Sequence, residues 1–149
     1  MNKNLPLLFI RIIGGIVFLT EGILKFVYPD EFGSGRFAHI GLPMPHVLAP
    51  FVAGVEIAAG AALVLNAYAG AAAVLLLCVI VTAIVSTKIP VLLGHNVGTF
   101  SVPKNTAHTG FLGFIHEART DLAMLFSLIA ILLDSRGISL GRSASRPKR

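Results

Sequence analysis

Glu56 has the most demanding setting of any ionisable residue in this chain. It lies near the centre of VLAPFVAGVEIAAGAALVL, Val47 to Leu65, nineteen residues that are otherwise apolar or small. At ~1.5 Å rise per residue, this stretch spans roughly the ~30 Å core of a bilayer as a helix. A carboxylate halfway across costs a few kcal/mol even on the lenient insertion scale. Groups placed there face a protein interior or a wet cavity, and a partner or a proton neutralises them. Ala53 and Gly60, at i−3 and i+4, share the face of Glu56, so a neighbouring helix can approach closely there.

Two further groups of ionisable residues interrupt apolar sequence. Arg11, Gly14, Phe18, Glu21 and Lys25 recur at spacings of three and four, which is one stripe of a helix. Glu21 and Lys25 form an i,i+4 pair in the favourable order, which lowers the cost of burying either. Arg11 has two readings: it belongs to the inward stripe, or it snorkels to an interface. Near the other end of the chain, Glu117, Asp121, Met124 and Leu128 share a stripe, with Arg119 roughly opposite Glu117. These types suit a site in which Glu56 and Glu21 exchange protons. Lys25 and Arg119, with Asp121 and Glu117 beside them, would hold an anion or a quinone carbonyl.

The elements that must position these groups are membrane spans. The 149 residues are 55% hydrophobic and 13% charged, with a mean hydropathy of +0.83. Average soluble domains carry about twice that charge fraction. An all-α, integral membrane four-helix bundle follows, with residues 1–135 as one domain and 136–149 as a basic tail. Leu5 to Val27 reads as a retained first span, since Arg11 and Glu21 break the apolar run expected of a signal peptide and no small-x-small site follows. Pro29 to Pro45 reads as a loop, rich in Gly and Pro. The second span begins at His46 or Val47, and Asn66 separates it from an uncharged third, Ala67 to Val85, so these two are antiparallel neighbours.

Ile89 to Gly113 reads as a second long loop, in which IPVLLG is apolar enough for the membrane interface. The last apolar run, Leu122 to Leu133, is too short to cross. Extending it back to Gly113 draws Glu117, Arg119 and Asp121 into the span; the alternative is a shorter helix capped by Thr120 and Asp121. Arg136, Arg142, Arg146, Lys148 and Arg149 place the tail in the cytoplasm, and four spans then place the N-terminus with Lys3 there too. Both long loops face outward, and the ionisable groups converge on the outer half of the bundle.

Several chemistries have no support in the sequence. The net charge of +5 is concentrated in the tail, with no aromatic-interleaved basic cluster, so nucleic acid is not an expected partner. His39, His46, His95, His108 and His116 all fall in or beside the outer loops, without HxxxH or HExxH spacing. A metal or haem site would need ligands from different loops, and none is expected. No CxxCH, GxGxxG, Walker loop or CxxC occurs. Cys78 is the sole cysteine and reads as a small buried hydrophobe.

RIIGGIVFLTEGILKFVYPDEF, FAHIGLPMP and GVEIAAGAALVL, with the ending HEARTDLAMLFSLIAILLDSRGISLG, resemble the DoxX family of small four-helix bacterial membrane proteins. Arg11, Gly22, Lys25, the Gly41-Leu42-Pro43 turn, Glu56, Gly60 and an acidic group opening the last helix carry the resemblance. The Pro90 to Gly113 loop looks like an insertion relative to shorter members. The resemblance implies a multi-pass protein of the bacterial inner membrane and a quinone-linked role. In that role it would be a subunit of a thiosulfate:quinone oxidoreductase or a related redox complex, with quinone as the bound redox molecule. Expected partners are membrane lipid and other redox subunits or further copies of the chain. The alternative is a non-catalytic scaffold, in which pairs such as Glu21–Lys25 and Glu56–Arg119 fix helix register. Solute or proton transport gains little support from four helices without a repeat or a broken helix.

Overall fold

The computed structural model describes residues 5–104 and 106–136, all of them helical or in connecting loops apart from a single Val97–Phe100 bridge. The helices are α1 (Leu5–Val27), α2 (Ser34–Ile40), α3 (Pro45–Val64), α4 (Ala69–Ala83), α5 (Ile89–Leu93) and α6 (Phe111–Ser135). A π-helical turn, Ile84–Lys88, joins α4 to α5 without a break. Among the described residues, Leu5–Val27, Pro45–Val64 and Ala69–Leu93 are long and apolar enough to cross a membrane. The basic tail from Gly137 onward and Lys3 lie outside the described residues.

Backbone contact joins α1 to α3. A Cβ on Gly22 would lie 2.7 Å from the Ala53 carbonyl oxygen, and one on Gly60 would lie 2.9 Å from that of Gly15. Small residues let the helices meet without a side-chain layer between them. Beside this seam, Phe18, Ala59 and Leu63 pack against Ala73, Leu76 and Ile80 of α4 and Met124, Leu128 and Ile131 of α6. The α3–α4 turn holds Asn66 and Tyr68 in the left-handed region, at φ 55° and 51°. The Arg11 guanidinium donates to the Asn66 side-chain oxygen, so Arg11 serves this turn.

Two expectations about the connections change. The expected loop over Pro29 to Pro45 contains a helix, α2, with Phe37 and Ile40 buried beneath it. It ends at Gly41 (φ 91°), where a side chain would collide with the Thr99 carbonyl. The Ser101 N–H donates to the Ile40 carbonyl at 3.0 Å, so the second loop folds back over α2.

The third span does not end near Val85 but runs on to Leu93, where Gly94 stops it at φ 74°. Pro90 lacks an N–H, and its ring would strike the carbonyl four residues back in a regular α-helix. The wider π-turn before it accommodates both constraints. Thr87 Oγ1 donates to the Ala83 carbonyl at 2.6 Å, and Ser86, Thr87 and Lys88 are all buried.

The last helix has the longer of the two expected lengths, with Thr120 and Asp121 inside α6 and capping nothing, but it is not among the three described helices apolar enough to cross a membrane. Its 25 residues pack on α4 and α1.

Candidate functional site

A cavity of about 360 Å³ lies in the half of the bundle that carries α2 and the π-turn. Its walls are mostly apolar, with Phe18, Phe37, Ile40, Leu48, Val52 and Met124 among them. Into this lining project Lys25 and Glu21 from α1, Arg36 from α2, Glu56 from α3, Lys88 from the π-turn and Asp121 from α6.

Two ion-paired clusters organise these charges, one on each side. Lys25 Nζ lies 2.7 Å from Glu56 Oε2 and 3.6 Å from Glu21 Oε2. The Lys25 and Glu56 side chains are 10% and 5% exposed, whereas Glu21 is 48% exposed, so the three step from the surface into the protein. The glycine seam produces this contact: Gly22 lies against Glu56 Cβ, one turn before Lys25. On the other wall, Lys88 Nζ lies 3.4 Å from Asp121 Oδ2 and 3.9 Å from Glu117 Oε2. His116 Nδ1 approaches the other Glu117 oxygen at 3.8 Å from an exposed position.

The structure therefore brings Glu56, Glu21, Lys25 and Asp121 together around one cavity. Glu117 stands behind Lys88 and does not line it. Arg119 is exposed and lies off the cavity, so the expected Glu56–Arg119 type of pair does not form. Two residues along a helix turn by about 200°, so Arg119 cannot face inward while Glu117 and Asp121 do. Lys25 takes the place expected for Arg119 beside Glu56, and Lys88 is the cation for Asp121.

Sequence reading missed Lys88 and Arg36. The signal for Lys88 was the Ser-Thr-Lys run directly after an uncharged span, three polar residues where the helix was expected to stop. Cys78 also departs from expectation: it is exposed and lines the cavity. All five histidines are exposed, and no group of three metal-ligating side chains occurs among the described residues.

The arrangement can hold a small polar head between cations in an apolar surround, with a carboxylate beside each lysine for proton exchange.

The chain is 44% identical to a membrane protein of Mycobacterium tuberculosis described as uncharacterized, over 138 residues covering 92% of this chain and 80% of the relative. No solved structure gives a significant match. The DoxX family model matches residues 6–89, which include the glycine seam, the Lys25–Glu56 pair and the π-turn with Lys88. With more than half its length matched, the chain belongs to the DoxX family of membrane proteins.

Proposed function

We propose that this protein is the membrane subunit of a quinone-linked oxidoreductase, of the thiosulfate:quinone type or a related redox complex. In this reading it crosses the bacterial inner membrane four times, with α6 as the fourth crossing and both chain ends cytoplasmic. The observation that carries it is the pairing of two largely buried lysines, Lys25 and Lys88, with carboxylates on different walls of one otherwise apolar cavity. Ion pairs inside a membrane are expensive, and they mark substrate paths or proton relays more often than they supply stability.

A quinone has two carbonyl oxygens across a flat apolar ring. Each lysine ammonium donates a hydrogen bond to one of them and stabilises the negative charge that grows there during reduction. Full reduction takes up two electrons and two protons. Lys25 and Lys88 each give a proton to the oxygen they touch; Glu56 and Asp121, ionised in their pairs, then take up replacement protons from solvent and hand them to the lysines, with Glu21 linking Lys25 to the surface. The electrons come from a reduced sulfur donor such as thiosulfate, directly or through a partner subunit.

The test is the quinone content of protein purified gently from its native membrane, compared with Glu56→Gln. Gln keeps an acceptor for Lys25, and Glu21 at 3.6 Å still answers its charge; the comparison is made on variant protein that retains a cooperative melting transition. Quinone in the wild type and its loss in the folded variant support the reading. Absence of quinone from both, with a stable partner protein recovered, favours the scaffold alternative, to which the Lys25–Glu56 clasp between α1 and α3 is equally suited.

A further inference from the structure

The cavity reaches the surface of the chain at two places. Glu21 on α1 and Thr120 on α6 line it and are exposed, which puts one mouth between those helices. Cys78 and Thr82 on α4 line it and are also exposed, beside Leu48 and Val52 of α3, which puts a second mouth between α3 and α4.

The two mouths differ in chemistry. At the first stand a carboxylate and a hydroxyl, with Lys25 Nζ 3.6 Å behind Glu21. At the second, Thr82 Oγ1 already donates to the Cys78 carbonyl at 2.8 Å, so Thr82 offers its methyl group to the opening. The exposed Cys78 thiol is only a weak donor and adds little polarity to this opening. Both bounding helices are apolar enough to cross a membrane, so this mouth faces acyl chains.

Size then decides what must pass through. At about 360 Å³ the cavity is near the lower end of small-molecule pockets, which run roughly 300–1,000 Å³. A substituted quinone ring fits in that space, and a polyprenyl chain of several units does not. We infer that a tailed quinone places its ring between Lys25 and Lys88 and sends its isoprenoid chain out between α3 and α4, past Cys78 and Thr82. Protons travel by the opposite mouth through Glu21. This rests on the quinone-linked reading above and adds to it the substrate class, a lipid-soluble quinone taken directly from the bilayer.

Because Cys78 is the sole cysteine, its alkylation reports on one mouth only. The full chain in lipid nanodiscs is treated with N-ethylmaleimide, and labelling is followed by mass spectrometry. Menaquinone-4 is expected to slow labelling by about tenfold, whereas the tailless 2,3-dimethyl-1,4-naphthoquinone slows it by less than about twofold. If menaquinone-4 binds the wild type without protecting Cys78, the tail leaves elsewhere; the inference is overturned and the quinone reading stands. If neither quinone binds the wild type, both fall.

Discussion

Lys25 Nζ sits 2.7 Å from Glu56 Oε2 across the glycine-lined contact of α1 with α3, with both side chains largely shielded from solvent. Each charge depends on the other. Removing one member of such a pair costs roughly 3–5 kcal/mol, because the survivor stays buried and uncompensated. Lys25→Met should therefore lower the unfolding midpoint in detergent sharply. Lys25→Met combined with Glu56→Leu should recover much of the loss. A double variant as unstable as the sum of its single changes would show that the two residues act independently.

The α1–α3 seam predicts a contrast between glycines. Gly22→Ala puts a methyl group 2.7 Å from the Ala53 carbonyl oxygen, so the helices must separate. Gly54, on the same helix as Glu56, has open space where a Cβ would go. Gly22→Ala should cost about 1–3 kcal/mol. Gly54→Ala should leave thermal stability unchanged or slightly raised, because alanine is the better helix former. Circular dichroism melts of the two variants check this.

The second charged cluster can be tested through quinone binding. Lys88→Met and Asp121→Asn each break the pair that faces the cavity from the π-turn and α6, and each should weaken quinone binding by about tenfold. Arg119 lies on the exposed side of the same helix, two residues from Asp121. Arg119→Gln should leave the affinity at the wild-type value. Equal losses from Arg119→Gln and Asp121→Asn would mean that net charge near the membrane matters and that the cavity does not.

At the end of the bundle that carries α2, Gly41 fastens the second long loop to α2. Its φ of 91° and its contact with the Thr99 carbonyl leave no room for a side chain. Gly41→Ala should release residues 94–104 from α2, seen as faster amide exchange at Ser101, whose N–H is bonded to the Ile40 carbonyl. Unchanged exchange at Ser101 would refute that role.

Much of this protein is legible in its sequence, for a local reason. The apolar runs that become α1, α3 and α4 need only bilayer-length hydropathy, and the stripe from Arg11 to Lys25 needs only a 3.6-residue period. The same one-dimensional cost argument singles out Glu56, since a mid-span carboxylate must find a partner wherever it lies. The small residues Ala53 and Gly60 announce a close approach without saying which helix makes it.

Only the tertiary structure decides which groups meet. Lys25 reaches Glu56 because two glycine-bearing faces happen to oppose each other, a pairing set by helix rotation and not by spacing along the chain. Lys88 enters the cavity because the π-turn before Pro90 carries the helix past its expected end. Arg119 is excluded for a geometric reason, since α6 can turn only one face inward and Asp121 occupies it. Cys78 reaches a cavity mouth through the way α4 lies against α3. Hydrophobicity and periodicity are properties of a segment, whereas register and rotation arise from packing between segments far apart in the chain.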